Sequence, residues 1–385
     1  MRVIVDASAL PERRAGVGRY VDELLAAIPA ERADVAVVAQ ARDERHYRAV
    51  VGDRRVARAP GWAAHPAIRL AWEQTGLPVL LRRWRPDVLL CPHYTVPVAA
   101  TRGPGRIPTV VTFHDATFFS DPEVHTPVKR RFFTEWIRAS AQLADAVVVP
   151  SRATLEEIRQ YAGVDPHRMH VVPHGIDHDR FRPPTPAEVN AVRERLGLPA
   201  DTAYLAFLGT LEPRKNVPAL VDAFVQVCRE RPDPPTLVLA GGRGWDQTLD
   251  AAVARVPERL RVIRPGFVDD GDVPALLGGA DVVAYPSRGE GFGLPVLEAM
   301  ACGAAVLTTR VLSLPEVGGD AVAYAESPAA ADLAVALAGL LDDPHRRDRL
   351  AAHAIDRARG FSWSASAAGH LEVFEQVVRR TGGRP

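Results

Sequence analysis

Short apolar segments alternate with longer amphipathic stretches along almost the whole chain, and this alternation constrains the fold more than any other feature. Strands joined by helices in this way form a parallel sheet whose faces the helices cover. The pattern occurs in two series, on either side of a segment dense in turn residues at 173–186. The first series predicts strands at 3–6, 35–39, 87–91, 109–113, 146–149 and 171–172, and the second at 204–208, 236–240, 261–263, 282–285, 305–307 and 321–324. At 385 residues the chain exceeds what one hydrophobic core normally supports, so we expect two α/β domains, 1–178 and 179–363.

The composition excludes several classes of protein. Lys plus Arg equals Asp plus Glu at 47 each, so no overall positive field favours nucleic acid. The three cysteines are widely spaced and odd in number, which argues against a disulfide framework and against a cysteine metal site. No apolar stretch reaches transmembrane length, and the N-terminus enters a strand without a signal-peptide pattern. We therefore expect a cytoplasmic protein with buried thiols.

Two carboxylates flank a glycine-rich turn in the C-terminal third, between Glu290 and Glu298. Gly291 and Gly293 allow the backbone to approach a ligand closely, and Pro295 suits the first turn of a helix that ends before Gly303. The free N–H groups at the start of such a helix would face a phosphate. Glu298 could then accept hydrogen bonds from the two hydroxyls of a ribose, and Glu290 from those of a second sugar. An ordinary strand-to-helix loop with solvated glutamates is the alternative.

Two adjacent cations follow the predicted strand at 204–208. Arg214 and Lys215 stand at the carboxyl end of that strand, which is where open α/β sheets bind ligands. Arginine offers a planar fork of donors and lysine a point charge, a combination that suits a diphosphate. A solvated basic turn is the alternative for these two residues taken by themselves.

An ordered series of motifs carries a family resemblance over nearly the whole chain. It comprises the Val3–Asp6 strand with Gly16-Val-Gly18-Arg19 after it, Phe113-His114-Asp115, Pro150-Ser151, Pro173-His174-Gly175-Ile-Asp177, Gly209 to Asn216, Gly266-Phe267-Val268, the paired glutamates and Phe361-Ser-Trp363. The series resembles the retaining glycosyltransferases of family 4. The resemblance implies the GT-B fold, two Rossmann-like, doubly wound parallel-sheet domains facing a cleft, with the last helix at 364–385 packing back on the first domain.

The resemblance also implies how the residues would act. A hexose would move from a nucleotide diphosphate-sugar to an acceptor hydroxyl without a metal ion or other cofactor, because positive side chains and backbone donors neutralise the departing phosphates. The residues expected in catalysis are His114, Arg214, Lys215 and Glu290. The residues expected to bind the donor are Gly16, Gly18, Gly209, Val268, Gly291, Phe292, Gly293, Leu294 and Glu298.

Three residues of these motifs have structural roles as alternatives. His114 would point at the donor sugar, oriented by Asp115, but a histidine at a strand end is often a satisfied structural residue. Ser151 suits the N-cap of a helix better than a ligand contact. Asp6, at the end of the first strand, could simply cap the next turn.

The donor and the acceptor are less defined by the sequence. The resemblance to bacterial mannosyltransferases favours GDP-mannose, with UDP-glucose, UDP-N-acetylglucosamine or a deoxysugar nucleotide as alternatives. The acceptor would be a glycan, a lipid-linked sugar or a small molecule. Residues 125–138 mix cations with large apolar side chains, so this segment could lie on an anionic membrane surface or bury Phe132, Phe133 and Trp136 in the core. Rival functions are a phosphorylase or synthase of the same architecture and a non-catalytic protein that binds sugar nucleotides.

Overall fold

The computed structural model describes residues 1–12, 14, 16–52, 55–103, 105–199 and 202–382. The chain forms two compact units, the first made of Met1–Gly175 and Trp363–Pro385 and the second of Ile176–Ser362. The division after Gly175 falls within the turn-rich segment at 173–186, and the sequence-based boundary after residue 178 lies a short way beyond it. Residues 383–385, the end of the expected last helix, lie outside the described residues.

The first unit contains, among its described residues, a parallel sheet with strand order β3-β2-β1-β4-β5-β6-β7. The strands are β1 (Arg2–Asp6), β2 (Asp34–Ala39), β3 (Val56–Arg58), β4 (Val88–Cys91), β5 (Thr109–Thr112), β6 (Ala146–Val149) and β7 (Met169–Val171). The helices before the second unit are α1 (Gly16–Ala27), α2 (Glu44–Val51), α3 (Pro66–Trp84), α4 (Val98–Thr101), α5 (Thr117–Ser120), α6 (Pro127–Leu143) and α7 (Arg152–Ala162).

The second unit contains a parallel sheet with strand order β10-β9-β8-β11-β12-β13 over the part of the chain that the structure describes. The strands are β8 (Tyr204–Leu208), β9 (Thr236–Ala240), β10 (Val262–Gly266), β11 (Val282–Tyr285), β12 (Val306–Thr309) and β13 (Ala323–Ala325). The helices are α8 (Pro186–Arg195), α9 (Val217–Cys228), α10 (Leu249–Ala254), α11 (Val273–Gly278), α12 (Leu294–Ala301), α13 (Leu314–Gly318), α14 (Ala330–Leu341) and α15 (Pro344–Ala358).

The central strands of both sheets are buried on both faces, which explains why they are apolar almost throughout. Every residue of β9 and β11 is buried, as is every residue of β4 and β6. Strands covered by helices on both sides have no polar face and therefore no alternating pattern. The two predicted series of strands are confirmed, with shifts of a few residues at their ends.

The last helix, α16 (Trp363–Arg380), belongs to the first unit. Its residues Ala367, Leu371, Phe374 and Val378 recur at helical spacing, and all four are buried. They form the apolar stripe that a helix needs in order to pack on a core. The helix contacts α1 and strands β4 to β6 of the same unit.

Two local expectations differ from the structure. Strand β3 has no counterpart among the predicted strands, because it is a three-residue edge strand without an apolar run. Gly16 and Gly18 were expected in a loop, whereas they lie in the first turn of α1. All three cysteines are free and buried, as expected. None of the helices in the described part of the chain combines the length and apolar character needed to cross a membrane.

Candidate functional site

The candidate site lies at the carboxyl ends of β8 and β11 in the second unit. From β8 the chain proceeds to β9 and β10 on one side and then returns to β11 on the other side. The loops that leave β8 and β11 therefore diverge from neighbouring strands. Such a switch point opens a crevice in which doubly wound sheets bind ligands.

The loop after β8 forms a single tight turn that fixes the two predicted cations. Pro213–Lys215 is a 3-10 turn, and Asn216 follows it in the left-handed conformation with a φ of 56°. The Asn216 side chain donates to the carbonyl oxygens of Pro286, at 3.2 Å, and Pro328, at 2.7 Å. This turn is thereby tied to the loop after β11.

The loop after β11 is held by the hydroxyl group of Ser313. Ser313 Oγ donates to the carbonyl oxygens of Glu290, at 2.7 Å, and Phe292, at 2.9 Å. Gly293 then caps α12 with a φ of 103°, and a Cβ there would lie 2.9 Å from Leu314. Only glycine adopts this conformation without strain. The helix spans Leu294–Ala301, so the prediction of a helix that begins near Pro295 and ends before Gly303 is confirmed.

Glu290 is the centre of an ionic cluster that joins the two loops. Its Oε2 lies 2.7 Å from Arg214 Nη1, and its Oε1 lies 2.7 Å from Lys215 Nζ. Ser287 Oγ, at 2.6 Å, and Tyr285 Oη, at 3.2 Å, also donate to Oε1. One oxygen of the carboxylate therefore receives three donors from the protein, and the other is shared with Arg214.

The charges in this cluster stabilise one another. Burial by itself would raise the pKa of Glu290, but Arg214 and Lys215 outweigh it and hold that pKa at about 2. Burial lowers the pKa of Lys215, Arg214 lowers it further, and Glu290 opposes both. Burial raises the pKa of Tyr285 well above its usual value, so its phenol stays protonated and can donate.

Glu298 lies about one turn into α12 and is buried, with 2% of its surface exposed. Burial raises the pKa of Cys302, and the negative charge of Glu298 raises it further. Gly291, Phe292 and Gly293 lead into α12, and Leu294 is its first residue, four positions before Glu298. The structure therefore places the predicted cations, Glu290 and the glycine-rich turn in neighbouring loops of one unit, with Glu298 in the helix that follows.

Two further residues predicted to bind the sugar nucleotide, Gly209 and Val268, lie at the ends of strands in the second unit. Gly209 follows β8, and a Cβ on Gly241, whose φ is 131°, would collide with the Gly209 carbonyl oxygen. Val268 follows β10, and its side chain is part of the hydrophobic core. A cavity of about 260 Å³ lies at the ends of β9 and β10 and is lined by Leu211, Leu239, Gly241, Arg243, Asp250, Arg264 and Gly266.

His114 lies in the first unit, just past β5. Its Nε2 is 2.7 Å from the carbonyl oxygen of Pro92, so Nε2 carries the proton and Nδ1 is left as an acceptor. Burial lowers the pKa of His114. Asp115 was expected to orient this ring, but its Oδ1 accepts from the Thr117 N–H, at 3.2 Å, and hydroxyl, at 2.9 Å. The orienting partner of His114 is therefore Pro92.

Ser151 has the capping role that the sequence favoured, and Asp6 has the capping role that the sequence left as an alternative. The Ser151 side chain accepts from the Thr154 N–H at 3.1 Å and caps α7. The Asp6 side chain accepts from the Ser8 N–H at 3.1 Å and caps the short turn after β1.

Helix α6 contains most of the predicted basic and aromatic segment. Its buried residues are Ile137, Ser140 and Ala141. Phe133 packs against the core and stacks on Phe118 with ring centroids 4.4 Å apart. Phe132 is exposed, and together with Val128, Arg131, Glu135 and Trp136 it lines a shallow depression of about 360 Å³. The alternative that buries all three aromatic residues in the core therefore holds for Phe133 and fails for Phe132.

Four residues that complete the cluster have no counterpart among the site residues predicted from the sequence. They are Glu212, Tyr285, Ser287 and Ser313. For Glu212, Tyr285 and Ser287 the one available signal was proximity in sequence to Arg214 or Glu290, and Ser313 carried no such signal. Among the described residues, no group of three or more His, Cys, Asp and Glu side chains is placed to hold a metal ion.

Comparison with known proteins identifies the family. Residues 14–180 match the family model for Glycosyltransferase Family 4, and residues 188–357 match that for Glycosyl transferases group 1. The O-antigen chain mannosyltransferase B of Escherichia coli is 32% identical over 312 residues, which cover 81% of this chain and 78% of that protein. The chain belongs to glycosyltransferase family 4. It is accordingly an enzyme, and the resemblance read from its motifs is confirmed.

Two further comparisons place this glycosyltransferase more broadly. The D-inositol 3-phosphate glycosyltransferase of Xylanimonas cellulosilytica is 37% identical over 253 residues, a match that spans 63% of this chain and 59% of that protein. The solved structure of Anabaena HepE in complex with UDP-glucose has a TM-score of 0.74 at 19% identity and covers 99% of both chains. This chain contains two α/β units, each with a parallel sheet, and its similarity to the HepE structure confirms the GT-B fold.

Proposed function

We propose that this glycosyltransferase moves a hexose from a nucleotide diphosphate-sugar to an acceptor hydroxyl with retention of the anomeric configuration. The observation that carries the proposal is the position of Arg214 and Lys215 at the switch point between β8 and β11. Two cations held there by buried hydrogen bonds are arranged in advance for the charge that develops on a departing diphosphate.

The proposed reaction breaks the bond between the anomeric carbon and the diphosphate oxygen and forms a bond from the same carbon to the acceptor oxygen. The acceptor attacks on the face that the diphosphate leaves, and its proton passes to the departing phosphate. Arg214, Lys215 and the N–H groups at the start of α12 neutralise the leaving group. The proposed reaction is independent of metal ions, because these groups take the role of a divalent cation.

The two glutamates are assigned different parts of the donor. Glu298, one turn into α12, is assigned to the ribose hydroxyls. Glu290 is assigned to the transferred sugar through Oε2, because its Oε1 already accepts from Lys215, Ser287 and Tyr285. Val268 is assigned to the nucleobase through its backbone.

The first unit is assigned to the acceptor and the second to the sugar nucleotide. In the first unit, His114 is assigned to the donor sugar, with its Nδ1 available as an acceptor of hydrogen bonds. Gly16 and Gly18, in the first turn of α1, are assigned to the diphosphate through backbone N–H groups.

GDP-mannose is the donor that we favour. Its support is the similarity to the O-antigen chain mannosyltransferase B, which covers most of both chains. UDP-glucose is the second candidate, since the similarly folded Anabaena HepE is seen in complex with it. UDP-N-acetylglucosamine and deoxysugar nucleotides complete the set to be tested.

For the acceptor we propose a sugar carried at an anionic membrane surface, approached through α6. Lys129, Arg130 and Arg131 are exposed on this helix beside the apolar Val128 and Phe132. Cations near an anionic surface contribute about 1 kcal/mol each to binding. Replacing the three cations with Ser should strongly reduce sedimentation with phosphatidylserine vesicles. Wild-type protein that ignores those vesicles at low salt would leave a glycan or a small molecule in solution as the acceptor.

Turnover against the panel of sugar nucleotides tests the function as a whole. The wild-type enzyme should hydrolyse one donor slowly without acceptor, and should do so equally in excess EDTA. Arg214→Ala should lower this rate by about 10²–10³, the cost of removing one preorganised donor from a developing charge. A rate within twofold of wild type would remove Arg214 from the mechanism, and loss of turnover in EDTA would show that a metal takes part.

A further inference from the structure

Arg214 has a second acidic partner that lies outside the Glu290 contact. Glu212 Oε1 is 2.8 Å from Arg214 Nη2. Both side chains are largely withdrawn from water, with 13% of Glu212 and 16% of Arg214 exposed. Glu212 is also fixed through its backbone, because its N–H donates to Thr210 O at 2.8 Å and its carbonyl accepts from Lys215 N–H at 2.9 Å. The carboxylate is therefore a built-in neighbour of this guanidinium.

The guanidinium is engaged on both of its terminal nitrogens. Nη1 contacts Glu290 Oε2 at 2.7 Å and donates to Gly289 O at 2.8 Å, while Nη2 is held by Glu212. The cluster thus contains two carboxylates, Glu212 and Glu290, and two cations, Arg214 and Lys215. The positive charges of Arg214 and Lys215 are therefore balanced by carboxylates of the protein itself.

A nucleoside diphosphate that binds here must share Arg214 with a carboxylate. Repulsion between Glu212 and the phosphates is strong because the site is partly buried and only weakly screened. The repulsion is greatest once the sugar has left, because the leaving diphosphate then carries the full charge. Uniformly tight binding of the nucleotide would not raise the rate of the chemical step.

We propose that Glu212 competes with the diphosphate for Arg214 and thereby sets a moderate affinity that allows the nucleoside diphosphate product to leave. This inference rests on the proposed function, since it assumes that Arg214 binds the diphosphate. Glu212 is a positioning residue that acts through Arg214. If Glu212 only oriented Arg214, its loss would weaken nucleotide binding, whereas competition predicts that its loss strengthens this binding.

Glu212→Gln separates the two roles. The amide oxygen still accepts from Arg214, while the negative charge is gone. Binding of GDP, UDP and ADP would be measured by calorimetry on the full-length wild-type and variant proteins, together with product inhibition of donor turnover. Asp342→Asn is the matched control, because it removes a carboxylate paired with Arg231 beyond the far end of α9.

The nucleoside diphosphate that binds wild type best should bind Glu212→Gln about tenfold more tightly or better, and should inhibit turnover at correspondingly lower concentration. Asp342→Asn should match wild type. Unchanged or weaker binding to Glu212→Gln would overturn the inference. If the Gln variant does not fold, Glu212→Ala removes the charge together with the hydrogen bond to Arg214, so tighter binding to it supports the inference and unchanged or weaker binding overturns it. Failure of wild type to bind any of the three nucleotides would instead overturn the proposed function, so the two failures are distinguishable.

Discussion

Glu290→Gln should lower the free energy of unfolding of the second unit, and the pKa of Glu290 sets the size of the loss. The substitution removes the negative charge that faces both Arg214 and Lys215 and leaves these buried cations in contact with a neutral amide. The pKa of Glu290 falls from its usual 4.5 to about 2 in the folded protein. At about 1.4 kcal/mol per pKa unit, ionised Glu290 stabilises the fold by about 3 kcal/mol at neutral pH.

The effect has a defined dependence on pH. A carboxyl whose folded pKa is depressed contributes stability that is fully present above its unfolded pKa, here 4.5, and is lost as the pH falls through its folded pKa, here about 2. The difference in unfolding free energy between wild type and Glu290→Gln should therefore be about 3 kcal/mol at pH 7 and about 1 kcal/mol at pH 3.

Urea unfolding followed by ¹⁹F NMR of fluorotryptophan-labelled protein measures this difference in the relevant unit. Trp245 is the only tryptophan in the sequence from 176 to 362, so its signal reports on the second unit. Asp222→Asn, which breaks an exposed ion pair with Arg255, is the control and should cost less than about 1 kcal/mol. A Glu290→Gln variant no less stable than this control, or a difference that does not change with pH, would refute the electrostatic account.

Three further predictions concern single side chains. Tyr285→Phe should lower kcat/KM by about tenfold or more, because a hydrogen bond to a charged group contributes about 1.5–3 kcal/mol. Steady-state kinetics with the preferred sugar nucleotide would measure this loss. An unchanged kcat/KM would mean that the phenol does not position Lys215 and Glu290. Gly293→Ala should destabilise the second unit by about 1–3 kcal/mol, since its φ of 103° is strained for any side chain, and an unaltered Tm would argue against that conformation. His370 is buried and neutral, with a pKa of about 4, below its usual 6.5. Its contribution to the unfolding free energy is therefore fully present above pH 6.5 and falls by about 3 kcal/mol as the pH drops toward 4. In urea unfolding of the first unit, His370→Gln should lose correspondingly less stability than wild type between these pH values, and equal losses would contradict the assignment.

The arrangement of strands was predictable because it depends on local patterns. The central strands are continuous apolar runs bounded by turn residues, and each is followed by an amphipathic stretch that must cover the sheet. Strand β3 escaped this reasoning because Val56–Arg58 gains its conformation from pairing with β2 and not from its own composition. The start of α1 was misjudged because glycines at 16 and 18 suggest a loop, whereas both lie in its first helical turn.

The position of the candidate site could be expected from the sequence, and its internal contacts could not. The carboxyl ends of parallel strands meet at one edge of the sheet, so Arg214 and Glu290 could be expected near each other. Whether Glu290 faces solvent or the cations depends on side-chain rotamers and on the pairing of β8 with β11. That pairing brings together residues that lie more than seventy positions apart along the chain. The pairing of Glu212 with Arg214 and the hydrogen bond from His114 to Pro92 depend on the same kind of geometry.

A crystal structure of the enzyme with the nucleoside diphosphate that it binds most tightly tests the central claim most directly. The account predicts that the β-phosphate oxygens lie within hydrogen-bonding distance of Arg214 and Lys215 and of the N–H groups at the start of α12, with at least one cation–glutamate contact exchanged for phosphate. Phosphates bound elsewhere, with Arg214 still paired with Glu212 and both cations still paired with Glu290, would contradict it.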